Sequence, residues 1–178
     1  MNFIALDFET ANQKRHSACS IALVVVQDNQ LVGRYYSLIQ PQTDFHWRNI
    51  QVHGITPEMV KDAPTFKEVW QDIEPLFQPE HLIVAHNTAF DNGVLRHTLA
   101  HHGLAQPYYQ SLCTVTASRR LMPELENHKL NTLCQAIGIP LEHHHHALDD
   151  AIASAQILLH LNQYFPTSEL EKTVKIIS

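Results

Sequence analysis

Asp7 and Glu9 alternate at the end of an apolar segment, NFIALDFET, and the period of two in a strand sets both carboxylates on one side of a sheet. Two acids pointing together repel each other. Water tolerates that at a strand end, whereas a dry setting calls for a cation between them. Asp91 falls in the first turn of a segment that begins Asn87-Thr88, and Asp149 and Asp150 fall in the first turn of another that follows the run His143 to His146. A helix macrodipole favours acids at such places without any further role. Taken one at a time, each acid has an ordinary explanation.

These side chains must be positioned by the elements around them. Residues 2–7, then Ile21 to Gln27 and Leu31 to Gln40, are rich in Ile, Val, Leu, Phe and Tyr and read as three strands. The turn-like Asp28-Asn29-Gln30 makes the last two a hairpin. From Pro41 to Thr56 the periodicity fails, which predicts a loop leading to a short helix after Thr56-Pro57-Glu58. A helix is expected over Thr65 to Phe77 between two prolines. HLIVAH at His81 to His86 reads as a short strand feeding a helix whose apolar positions are Phe90, Val94, Leu95 and Leu99. Tyr109 to Cys113 reads as another strand, followed by helices at Thr114 to Leu121, Leu130 to Ala136 and Ala147 to Tyr164. Strands alternating with helices after an initial hairpin give an α/β class.

The 178 residues suit one domain, with 44% hydrophobic and 17% charged residues, enough for a true core. Twelve Lys and Arg against eighteen Asp and Glu give a net charge of -6, which excludes the broad basic face of a protein that coats long nucleic acid. Fourteen histidines make that charge pH-dependent. The three cysteines, Cys19, Cys113 and Cys134, have no metal-type spacing and read as free thiols in a reducing compartment. No basic leader or membrane-length apolar run is found, so a cytoplasmic protein without membrane association is expected.

In combination the acids are no longer ordinary. DFET at Asp7 to Thr10, VAHNTAFDNGVL at Val84 to Leu95 and HHALDDA at His145 to Ala151 (with His144 before it) follow one another in the order found in the DnaQ-like 3′-to-5′ exonucleases of the DEDDh type, and VHGIT at Val52 to Thr56 and HKLNTLCQAIGI at His128 to Ile139 are further points of similarity. The sequence resembles that family over nearly its whole length up to about Leu161. The resemblance implies an RNase H-like fold, a central mixed five-stranded sheet with the first strand in its middle and helices on both sides. It also implies that Asp7, Glu9, Asp91 and Asp150 hold two divalent cations, Mg²⁺ or Mn²⁺, and that His145 acts as general base, with Glu9 in the catalytic set. Carboxylate oxygens suit such hard cations, and a pair of them about 3.5–4 Å apart can serve both oxygens of a phosphodiester displacement. An imidazole of reference pKa near ~6.5 suits proton transfer around neutrality. The choice of His145 and Asp150 over His144 and Asp149 follows the family's spacing, since helical periodicity does not separate them.

By the same resemblance Thr10 and Ala11 offer backbone to a terminal nucleotide, His53 approaches its base or phosphate, and Phe90 packs against it, a sequence-tolerant contact. The implied activity is hydrolysis of single-stranded DNA 3′ ends to nucleoside 5′-monophosphates, alone or beside a DNA polymerase. Two alternatives are an exoribonuclease of the RNase T or oligoribonuclease kind acting on short RNA, and a non-catalytic nucleic-acid-binding module. Residues 1–165 form the expected exonuclease domain. In residues 166–178, Leu170, Val174 and Ile177 recur at helical spacing and predict a short docked helix.

Overall fold

The computed structural model describes residues 1–178. Strands β1 (Phe3–Thr10), β2 (Ala18–Gln27) and β3 (Gln30–Leu38) come first and pair antiparallel in chain order. The β2–β3 turn places Asp28 and Asn29 at φ of 50° and 64°. Two successive left-handed residues are the pattern of a type I′ turn, whose twist matches the strands, and Asp and Asn tolerate that region better than most side chains. β4 (Leu82–Ala85) and β5 (Tyr109–Cys113) then run parallel to β1, and β6 (Lys175–Ile177) closes the edge antiparallel to β5. The order is β3-β2-β1-β4-β5-β6, so β1 is held between two neighbours inside the sheet.

Alternate side chains of β1 enter different cores. Phe3 and Ala5 pack with α7 (Ala147–Tyr164), α6 (Leu130–Ile137) and α5 (Thr114–Leu121), and Ile4, Leu6 and Phe8 pack with α3 (Phe66–Ile73) and α4 (Thr88–His101). The same alternation carried two residues further sets Asp7 and Glu9 on the α7 side. The face that α7 turns to the sheet is small at first, with Ala147, Ala151, Ser154 and Ala155 buried before Leu158 and Leu161. Short side chains let the helix approach β1 and β2 closely, opposite the fully buried Ala5 and Ala22.

The α/β class, the mixed sheet and the two helical layers agree with the sequence, but the sheet has six strands, not five. The additional strand comes from the C-terminal segment. Leu170 lies on α8 (Thr167–Glu171) and is buried, whereas Lys175–Ile177 pairs with β5, opposing Ile177 to Tyr109. The expected single helix is thus a helix followed by a three-residue strand, too short to display a period of two. The stretch read as a loop before Thr56 contains α1 (Trp47–His53), which buries none of its residues. A helix without a buried face has no apolar stripe to reveal it. It ends at Gly54, whose φ of 74° is the left-handed stop that glycine accepts. The short α2 (Pro57–Val60) follows, with Thr56 as N-cap and proline at its first position. No helix is long and apolar enough to cross a membrane.

The close approach of α7 sets the first expectation. Ala155→Leu adds three carbons at a position with no exposure and should destabilise the fold by about 1–3 kcal/mol, read as a lower urea midpoint with an unchanged slope.

Candidate active site

The four acids are delivered by three elements. Asp7 and Glu9 stand at the end of β1, Asp150 in the first turn of α7, and Asp91 in the first turn of α4. One ligand oxygen from each of Asp7, Glu9 and Asp150 lies within 4.8 Å of the others. Asp91 is almost wholly buried and accepts a hydrogen bond from the Phe8 backbone N–H at 3.1 Å, which fastens α4 to β1 between the two strand acids. All four carboxylates line one cleft of about 910 Å³, together with Phe90, His144 and His145.

The turn before α7 orients Asp150. His145 has a φ of 70°, a left-handed conformation that costs a non-glycine residue on the order of 1–2 kcal/mol. In that conformation its backbone N–H donates to Asp150 Oδ2 at 3.0 Å. His144 Nδ1 lies 3.2 Å from both Asp150 oxygens, and the His144 and His145 rings stack with centroids 3.8 Å apart. The two histidines that sequence spacing could not separate therefore occupy different positions: His144 against the carboxylate, His145 stacked upon it at the cleft. His143 instead meets Asp149 at 3.1 Å on the surface.

The electrostatics are those of crowded anions. Burial raises the Asp7 carboxyl well above its ordinary range, and the charges of Asp91, Glu9 and Asp150 push it further. Glu9 is pushed up to about 8, by burial first and then by Asp150 and Asp91. Burial also raises Asp91 to about 8 against the opposing pull of the Phe8 N–H. Asp150 is raised by burial despite its bonds to His144 and the His145 backbone. Asp7, Glu9 and Asp91 form no ion pair with a Lys or Arg, and the charge of Arg15, which pulls Asp91 down, does not overcome the effect of its burial. Burial lowers the imidazole of His145, favouring the neutral ring that a proton acceptor requires.

The expected nucleotide contacts divide. Phe90 lines the carboxylate cleft and also a second cavity beside it, which Thr10, Lys14, Arg15 and Asn49 share. Ala11 lines neither. It is fully buried, its N–H donates to the Ser17 carbonyl at 2.7 Å and its carbonyl accepts from the His46 N–H at 2.8 Å. The Thr10 carbonyl is similarly engaged, by the Asn49 amide at 2.8 Å and by His53 Nε2 at 3.1 Å. The Ile55 N–H donates to His53 Nδ1 at 2.9 Å, which leaves the proton on Nε2 to donate to Thr10. His53 thus braces the end of β1 and lines neither cavity.

Sequence reading did not find Arg15, Asn49 or the role of His144. The Arg15 guanidinium lies over the Phe90 ring, 5.0 Å from its centroid, and donates to the Phe90 carbonyl at 2.9 Å. Gly93 admits it: a Cβ there would come within 3.0 Å of Arg15 Nη1. No local pattern announces a contact between residues so distant in the chain.

Comparison with known proteins agrees with this geometry. The RNase_T exonuclease family model matches residues 4–158. The DNA polymerase III PolC-type of Bacillus cereus is 31% identical over 159 residues, covering 88% of this chain and 11% of the relative. That of Clostridium perfringens is 33% identical over 160 residues, with the same coverage of 88% and 11%. The chain therefore spans about a tenth of the length of these polymerases. Among solved structures, Exonuclease X in complex with 5′ overhanging duplex DNA superposes with a TM-score of 0.77 at 25% identity, over 96% of this chain and 98% of that one. Exonuclease I shares the fold at a TM-score of 0.83 and 19% identity, over 96% of this chain and 42% of its own. With the family model matched across both strand acids, Asp91 and Asp150, the chain belongs to the RNase_T exonuclease family.

Proposed function

We propose that the chain removes nucleotides from the 3′ end of single-stranded DNA as 5′-monophosphates, with two divalent cations, Mg²⁺ or Mn²⁺, held by Asp7, Glu9, Asp91 and Asp150, and with His145 as general base. The observation that carries this reading is the convergence on one cleft of four carboxylates, Asp91 and Asp150 buried and Asp7 and Glu9 half-buried, none of them in an ion pair with a Lys or Arg. An all-oxygen donor set of that charge fits hard divalent cations. When bound, such cations supply neutralising charge and lower the pKa of water. His145, neutral and stacked on His144, accepts the proton of the attacking water at an imidazole nitrogen. His144 and the His145 N–H hold Asp150 in place, as partners of a ligating carboxylate do. Phe90 offers a face to the terminal base, and Arg15 fixes that ring from behind. Thr10 is a substrate contact through the cavity it lines, held in position by Asn49 and His53. Exonuclease X is solved on DNA, and the PolC-type relatives are polymerases, which makes DNA ends the proposed substrate and a DNA polymerase the proposed partner.

Labelled single-stranded DNA, RNA and dinucleotides incubated with Mg²⁺, Mn²⁺ or EDTA decide between this reading and its alternatives. Mononucleotide release from DNA with metal and none in EDTA is expected. Faster release from RNA would transfer the reading to an exoribonuclease, and binding without hydrolysis would make the chain a non-catalytic module. Asp7→Asn and Asp150→Asn should each abolish hydrolysis and leave the circular dichroism spectrum unchanged, because removing one anion from a crowded set relieves repulsion. His145→Ala should lower kcat by about 10²–10⁴. His144→Ala should act mainly on the metal requirement, raising the half-saturating concentration by about 10–100-fold. The reverse ranking in kcat would shift the base by one residue.

The raised carboxyls also set a pH dependence. Each holds its proton more tightly in the folded chain than in the unfolded one, so the stability these carboxyls contribute to the metal-free protein is fully present below the ordinary carboxyl range near ~4. Stability is lost as pH rises toward 8, where Glu9 and Asp91 ionise in the fold. In EDTA, Tm should fall between pH 5 and 8 more steeply for the unaltered protein than for Asp7→Asn, and saturating Mn²⁺ should flatten that fall.

A further inference from the structure

A cavity of about 150 Å³ adjoins the carboxylate cleft, and Asn87, Val115 and Arg119 line both spaces. No carboxylate lines it. Its polar walls include the Arg119 guanidinium from α5, the Lys175 ammonium from β6, the Asn87 amide and the hydroxyls of Thr88 and Thr116. Both cations are exposed and neither is in an ion pair. Their near neighbours in sequence behave otherwise. Arg120 pairs with Glu169 at 2.7 Å, and Lys172 pairs with the same carboxylate, and none of these three lines the cavity. Pairing of Lys175 with Ser111 in β5 is what brings the C-terminal strand to this wall. In a chain of net charge -6, two free cations converge on an acid-free recess at the rim of an acidic cleft.

We propose that Arg119, Lys175 and the hydroxyls between them form a subsite for a backbone phosphate of the digested strand, 5′ of the linkage being cut. The inference rests on the proposed nuclease reading. When the end of a strand lies in the carboxylate cleft, its remaining phosphates all lie on the 5′ side, and the recess that adjoins that cleft offers donors and positive charge to them. The guanidinium supplies a planar fork and the ammonium a mobile point charge, the two forms in which proteins hold phosphate. The sixth strand then has a function, since it carries Lys175 to the subsite.

Binding of a 5′-labelled oligothymidylate of eight nucleotides to the full chain, read by fluorescence anisotropy in Ca²⁺, tests the subsite independently of hydrolysis. Lys175→Gln should weaken binding by about 3–10-fold, within what one charged hydrogen bond contributes, and should make the logarithmic salt dependence shallower by about 0.7. One neutral methylphosphonate, placed in turn at each internal linkage, should weaken the unaltered protein at one position and add nothing further there in Lys175→Gln. In hydrolysis with Mn²⁺, the same variant should raise KM for the octamer and leave kcat and all dinucleotide kinetics unaltered, since a dinucleotide has no phosphate beyond the one cut. Unchanged octamer binding in both Lys175→Gln and Lys175→Glu would overturn the subsite. So would an equal loss on dinucleotide and octamer. Absence of hydrolysis by the unaltered protein, with the anisotropy differences retained, would refute the nuclease reading and leave the phosphate subsite standing.

Discussion

Mutual repulsion of carboxylates inside a water-poor cleft is the constraint to which the rest of the molecule answers. Two unit charges at 4 Å interact by about 4 kcal/mol at an effective dielectric near 20, and here Asp7, Glu9 and Asp150 share a space of that scale while Asp91 is buried beside them. Without cations, the chain responds by holding protons, which is why burial and neighbouring charge drive the carboxyls upward together. A set of acids on mobile loops would relax by separating. These cannot, because each is tied to an element whose position is fixed by apolar packing on a far larger scale.

The fixing is visible in β1. It is paired along one edge to β2 and along the other to β4, and its alternate side chains reach two separate cores, so it has no free direction in which to yield. α7 contributes the opposing acid from a helix that small residues allow to lie close to the sheet. Two backbone donors complete the arrangement: Phe8 N–H toward Asp91 and His145 N–H toward Asp150. Each is a partial positive charge placed on an anion, and the second requires a histidine in a left-handed conformation. That strain is local, and the carboxylate bond it permits offsets it.

Features with a local physical cause were legible in the sequence. The β2–β3 hairpin follows from Asp28-Asn29 between two β-rich runs, and α7 follows from its apolar period, as do the strand acids from the alternation of β1. What escaped were features whose cause is distant. α1 buries nothing, so its formation depends on its N-cap and on Gly54 instead of a stripe. The three residues of β6 become a strand only because β5 offers an edge. Ala11 and His53 fall within or beside motifs, yet their polar groups are consumed by Ser17, His46, Thr10 and Ile55, partners that only the folded chain brings near. Motif position gave no sign of these bonds, because hydrogen-bond accounting needs the folded partners.

Acidity at the catalytic cleft and affinity for a polyanion would conflict if the same surface had to supply both. In the proposed loaded state two dications balance four carboxylates, so the cleft ceases to repel a phosphodiester only when its metals are present. Attraction for the remaining phosphates must then come from outside the cage, where a cation does not compete with the metals for carboxylate oxygen. Arg119 and Lys175 stand in such a place, next to the cleft but lining a recess without acids, while Arg120 and Lys172 are spent on Glu169. A cation placed inside the cage would neutralise the acids permanently and displace the metals. Placed at its rim, it binds the strand and leaves the cage to the ions, so the division of charge between two adjoining cavities reconciles a net acidic chain with a polyanionic substrate.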